Sequence, residues 1–262
     1  MVMNEKERVK NLLEKGDFSD NIYGDVQLLV RYYVNEEKLL IKEEIMERIV
    51  GLLEDQLPIF YEWEWEDTIE KIIKQELNHP RPLTSINAIY VTEEEISTIR
   101  TLKKATQRKY LFALIVYARY LALKKEIDSD WTYSDRKSQE AIIKSANNNG
   151  LTFKEQHMVA KELIDLGLIA QPKKMESLSL KVICMNDKEG NIALWVNSFE
   201  DLGNYIEDYL KVTYGGYKVC EICGKPYKPK KTGRPSSLCN SCKKERDTKQ
   251  AKERMKKMRK KE

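Results

Sequence analysis

Residues Thr152 to Ile169 read TFKEQHMVAKELIDLGLI. Thr152 with Glu155 three residues on forms a capping box, in which each side chain accepts the other residue's otherwise unpartnered backbone N–H. The pair predicts a helix over 153–166, stopped by Gly167, which takes left-handed backbone without strain. Asp165-Leu166-Gly167-Leu168-Ile169 then suits a chain returning into extended structure. Upstream, Asp135 opens a helix to about Ser145, which Asn147-Asn148-Asn149-Gly150 ends with residues that tolerate positive φ. Before that come a long apolar helix, Tyr110 to Lys125, with Leu111, Leu114, Ile115, Ala118 and Leu121 on one face, and a short β-like piece at Trp131 and Tyr133. Downstream, Leu178, Leu180, Val182 and Cys184 alternate with less apolar neighbours, as do Ile192, Leu194 and Val196. The polar turn Asn186 to Gly190 is expected to join these strands into a hairpin, with Cys184 as a small buried hydrophobe. Helix, short strand, helix, turn at 147–152, helix and hairpin is the element order of a winged helix-turn-helix.

Toward the N-terminus the apolar spacing predicts four helices: 5–14, stopped by Gly16; 25–34, with Leu28, Leu29, Tyr32 and Tyr33; 41–55, with Ile45, Ile49, Leu52 and Leu53; and 65–77, with Ile69, Ile72 and Ile73, ended by Pro80. Tyr61, Trp63 and Trp65 alternate with glutamates and read as core aromatics in a packed turn or short strand, with a ligand or partner surface as the alternative. Pro80 and Pro82 mark a linker, 86–91 a short extended piece, and Thr92 with Glu95 a second capping box. The expected fold is therefore mainly α with a small β-hairpin. It comprises a helical domain at 1–90, a winged helix-turn-helix-like domain at 91–212, and a zinc-knuckle module with a basic helix at 213–262.

That last module rests on Cys220-Glu221-Ile222-Cys223 and Cys239-Asn240-Ser241-Cys242, two C-x2-C pairs separated by 15 residues. Each pair sets two thiolates on one tight turn, and two such turns face to face complete a tetrahedron around one structural Zn²⁺. Four sulfurs leave no position for a reactive water. The apolar residues of 218–242, chiefly Val219, Ile222, Tyr227 and Leu238, are too few to close a core, so the ion supplies folding energy.

Charge is divided unevenly. Lys218 to Glu262 holds 17 Lys/Arg and 5 Asp/Glu, a net of +12, which leaves 1–217 at −8 within a total of +4. Such asymmetry draws a polyanion to one end of the chain. Lys228, Lys230, Lys231, Arg234, Lys243, Lys244 and Arg246 are the candidate phosphate contacts of the module and tail. On the predicted helix 153–166 the candidates are Lys154, Gln156, His157 and Lys161, with Lys173 and Lys174 near the wing. Glu155, Glu162 and Asp165 share that helix and no arginine does, so a packing or dimerising scaffold, with His157 in a structural role, stands beside the nucleic-acid reading. The tail is read alternatively as a solvated helix or a contact for an acidic protein partner. No stretch approaches the ~20 apolar residues of a membrane span. The start, MVMNEKERVK, has no signal-peptide core, so a reducing cytoplasm is expected. No H-E-x-x-H, P-loop or serine–histidine arrangement is present, and His79 and His157 are the only histidines, so no enzymatic activity is expected.

Three stretches carry a resemblance: Asp25 to Tyr33; Leu111 to Ala118 with Trp131 and Asp165 to Ile169; and Cys220 to Lys225 with Cys239 to Cys242. In these the chain resembles uncharacterised bacteriophage and prophage proteins of low-GC Gram-positive bacteria. The resemblance implies a phage origin and fixes no activity. Combined with the charge pattern, it leads to an expected nucleic-acid-binding regulatory or replication accessory protein. The alternative is a factor that binds and modulates a host or phage enzyme through the winged scaffold.

Overall fold

The computed structural model describes residues 2–127, 129–148, 150–172, 179–185, 191–229 and 236–259, with side chains described as far as Glu253. The chain is mainly helical and divides into two compact units.

The first unit comprises Met1–Tyr90 with Arg119–Ser129 and Leu194–Phe199. Its helices are α1 (Glu5–Lys15), α2 (Ile22–Asn35), α3 (Lys42–Gln56) and α4 (Glu62–Asn78). Asn4 caps α1 by accepting the Glu7 N–H, and Gly16 ends it at φ 61°. Val9, Leu12, Val26, Leu29, Ile45, Ile49, Leu53, Ile69 and Ile73 recur three and four residues apart, and each is buried in one shared core. The aromatic run departs from its expected role: Trp63 is 74% and Tyr61 55% exposed, and only Trp65 packs against the core. The helix begins at Glu62, and residues two apart on a helix do not share a face. A buried ion cluster closes this unit. The Arg31 guanidinium donates to Glu5 at 2.8 and 3.1 Å and to the Pro82 carbonyl at 2.6 Å, which fixes the proline-flanked stretch. Lys124 Nζ reaches Glu5 at 3.0 Å.

The second unit comprises Val91–Ala118, Asp130–Ala193 and Glu200–Glu262. Thr92 and Glu95 form the expected capping box at the start of α5 (Glu93–Thr101). In the part of α6 (Ala105–Lys125) that belongs to this unit, every residue from Tyr110 to Ala118 is buried, rather than a single face. The sequence there is apolar all round, which suits an element enclosed on all sides. Asp135 caps α7 (Arg136–Ser145), Asn147 takes φ 54°, and Thr152 with Glu155 opens α8 (Phe153–Asp165), with Gly167 at φ 69° beyond it.

The strands depart from expectation. β2 (Ile169–Ala170) pairs antiparallel with β3 (Lys181–Val182), and Trp131 bridges Lys181. β4 (Ile192–Val196) pairs with β1 (Ile89–Thr92), and the Glu93 N–H reaches the Asn191 carbonyl at 2.8 Å. The expected hairpin between 178–184 and 192–196 is therefore replaced by two separate pairings; its turn at 186–190, Leu178 and Asn149 lie outside the described residues. Alternation identifies a strand without naming its partner. Cys184, expected buried in a strand, sits half-buried in the turn after β3. An element not expected from the sequence, α9 (Leu202–Tyr214), packs against the end of α7: a Cβ on Gly203 would lie 2.1 Å from the Ala146 carbonyl oxygen. Arg108 clasps Glu207 at 2.7 and 2.9 Å on the same helix. Among the described residues no helix is long and apolar enough to cross a membrane.

Candidate metal centre

β5 (Lys218–Val219) and β6 (Pro226–Tyr227) form a minimal antiparallel ladder, and the first cysteine pair occupies the turn between them. The Cys220 N–H donates to the Lys225 carbonyl at 3.1 Å and the Gly224 N–H to the Cys220 carbonyl at 2.9 Å. Gly224 sits at φ 68°, a conformation the knuckle requires and a side chain would strain. The second pair straddles the start of α10 (Asn240–Arg259): Cys239 precedes the helix, its carbonyl accepting the Lys243 N–H at 3.0 Å, and Cys242 lies in the first turn. The Glu221 N–H donates to the Ser237 carbonyl at 3.2 Å and Ser237 Oγ to the Glu221 carboxylate at 2.6 Å, holding the two turns together. Tyr227 donates its hydroxyl to the Ser236 carbonyl. Leu238, packed with Cys220 and Cys242, is the chief buried side chain besides the sulfurs, so this knot has little hydrophobic support.

The four sulfurs lie within 4.8 Å of one another, and Cys223 Sγ and Cys239 Sγ are 3.8 Å apart. A tetrahedron of sulfurs about 2.3 Å from a central ion has an edge of about 3.8 Å. The donor set thus fits a four-sulfur structural metal site. The backbone N–H groups of Cys223 and Cys239 point at Cys220 Sγ, the latter at 3.3 Å, and bring its pKa down to about 6 against the effect of burial. Cys242 moves the other way, to about 12, because Cys239 and then Cys223 share its proton in hydrogen bonds. Four thiolates cannot crowd together uncompensated, and a dication at the centre would supply the charge that lets all four ionise. Among the described residues no other group of His, Cys, Asp or Glu is gathered for metal ligation.

Of the basic candidates, Lys228, Lys243, Lys244 and Arg246 are exposed around this centre, with Arg246 beside Asp247 at 3.3 Å. Lys230, Lys231 and Arg234 lie outside the described residues, as do Lys173 and Lys174. On α8, Lys154, His157 and Lys161 are exposed at positions three and four apart, hence on one face. Gln156 is half-buried and donates to the Leu151 carbonyl at 3.0 Å, a local bond that occupies its amide. Two of the acidic residues on this helix are engaged within the fold: Glu155 in the capping box, and Glu162 by Lys104 and by Gln107, the latter at 2.7 Å. The sequence gives no sign of that pairing, which joins residues 55 and 58 positions apart. It also leaves unread the exposed Phe153, Met158 and Leu166; Phe153 is 76% exposed and packs edge-on against His157 at 4.2 Å. A phenylalanine directly after an N-cap, ahead of the buried stripe, is the one cue for this. Comparison with protein families, with curated proteins and with solved structures gives no match.

Proposed function

We propose that this chain binds nucleic acid without catalysing a reaction, through a zinc-organised module whose helix α10 lies along the phosphate backbone. The observation that carries the reading is the continuity of metal centre and basic helix. Cys242 belongs to the first turn of α10, and the helix holds nine Lys/Arg against three Asp/Glu. One Zn²⁺ per chain, held by Cys220, Cys223, Cys239 and Cys242, supplies a covalent-like crosslink where hydrophobic packing is thin. Lys228, Lys243, Lys244 and Arg246 then present a fixed cationic surface, which gives affinity without sequence preference.

A winged helix-turn-helix reading of α6, α7, α8, β2 and β3 supports the same function. Trp131 bridging β3, and β3 beside β2, would serve as the three extended pieces of that motif, in place of the hairpin expected from the sequence. In this reading α8 is the groove-facing helix and offers Lys154, His157 and Lys161. The phage or prophage regulatory or replication accessory role belongs to the same proposal. A second reading, a protein-interaction factor acting on a host or phage enzyme, is favoured by the exposed Phe153 and Met158 on that helix and Leu166 at its C-cap. A salt titration against duplex DNA, single-stranded DNA and RNA decides between them. Nucleic-acid binding should weaken steeply with salt, each lost phosphate contact flattening the log–log slope by about 0.9 on duplex DNA. Truncation before Lys218 should remove most of that slope. Affinity unchanged by truncation overturns the role of α10, and no binding at low salt favours the protein-interaction reading.

A further inference from the structure

Within the first unit, the exposed faces of α3 and α4 enclose a groove of about 460 Å³. Met46, Val50 and Gly51 line it, and the carboxylates of Glu43, Glu47, Glu54, Glu62 and Glu66 stand exposed along its sides. Glu70 at one end is answered by Lys42 at 2.5 Å. None of the other five carboxylates forms an ion pair among the described residues, although the charge of Lys42 also attracts Glu43 and Glu66, and like charges at such spacing destabilise the chain that carries them. They do not converge as metal ligands, so an extended cation suits them better than a point charge. Gly51 adds an independent sign. It interrupts α3 at a cost in helix propensity, yet a Cβ there would meet nothing within 4 Å. No packing within the chain requires a glycine; it leaves the groove open to close approach from outside.

We infer that this groove receives α10 from a second copy of the chain. Helix α10 is lysine-rich, and its described residues are exposed apart from Cys242, so it is available to another molecule. In sequence the helix carries Ala251, Met255 and Met258 among its lysines and arginines. An apolar-lined groove with acidic sides is the complement of such a helix. The contact joins two different surfaces, so it closes as a pair in which each chain lends its helix to the other, or as a ring, or it continues as an open chain of molecules. Phosphate and these carboxylates compete for the same lysines, so nucleic acid would dissolve the assembly. The self-association itself does not depend on nucleic-acid binding.

Sedimentation velocity on the metal-loaded full chain tests this. Average mass should rise with concentration at about 50 mM salt and return to monomer at about 500 mM. Gly51→Leu should weaken association about tenfold while leaving the circular dichroism spectrum and nucleic-acid affinity unchanged. Glu47→Lys with Glu66→Lys, and separately Lys249→Glu with Lys252→Glu, should each abolish self-association, and mixing the two reversed chains should restore a mixed assembly. A monomer at low salt up to about 100 μM, or association indifferent to Gly51→Leu and to both reversals, overturns the inference. Loss of nucleic-acid binding with self-association intact would instead count against the proposed function alone.

Discussion

Glu5 is an acid that burial alone would make a weaker one, yet its pKa falls to about 2 from the ordinary value of 4.5. Burial pushes the value up; hydrogen bonds from Arg31 and the Thr84 N–H, with the charges of Lys124 and Arg31, more than reverse it. Because the folded value is the lower one, this carboxylate stabilises the fold above pH 4.5 and loses its contribution as the pH falls toward 2. Glu5→Gln should cost about 3 kcal/mol near neutrality, since it leaves Arg31 buried without its counter-charge. Urea unfolding should show the loss, and should show the variant's stability falling less steeply between about pH 5 and pH 3. The cysteines were legible in the sequence because their chemistry is local: two residues lie between the members of each pair. Glu5, Arg31 and Lys124 were not, because they meet across separations of 26 and 119 residues.

Gly203 shows the same division among elements. In an exposed helix, Gly→Ala would gain about 1 kcal/mol in propensity. On α9 the added methyl would collide with the Ala146 carbonyl, so Gly203→Ala should instead destabilise by about 2 kcal/mol, read from thermal or denaturant unfolding. Helix starts were readable, as Thr92, Asp135 and Thr152 all cap where their side chains predict. Each cap is settled within four residues. Strand partners were not readable: β4 and β3 carry the alternation of a hairpin yet pair with β1 and β2. Side-chain period tells a strand which face to bury, while its neighbour is chosen by the packing of the whole unit. The misplacement of Tyr61 and Trp63 has a similar origin, since an alternating pattern was read on a segment that becomes helix.

For the molecule as a whole, the uneven charge was plain in the sequence, and so was the metal site; the acidic groove was not, because it assembles from two helices. Metal analysis should find about one zinc per chain. Cys223→Ser should release it and unfold 218–242, seen as lost dispersion of those amide signals, while the remaining residues keep theirs. Since Cys239 and Cys242 bracket the first turn of α10, an ion held by the four sulfurs would also grip a rod some 30 Å long by one end. In the monomer at high salt, solvent exchange of its backbone hydrogens should consequently slow nearest the sulfurs and quicken with each turn away from them. Chelation would abolish that gradient at a stroke, turning a directed lever into a loose cationic string.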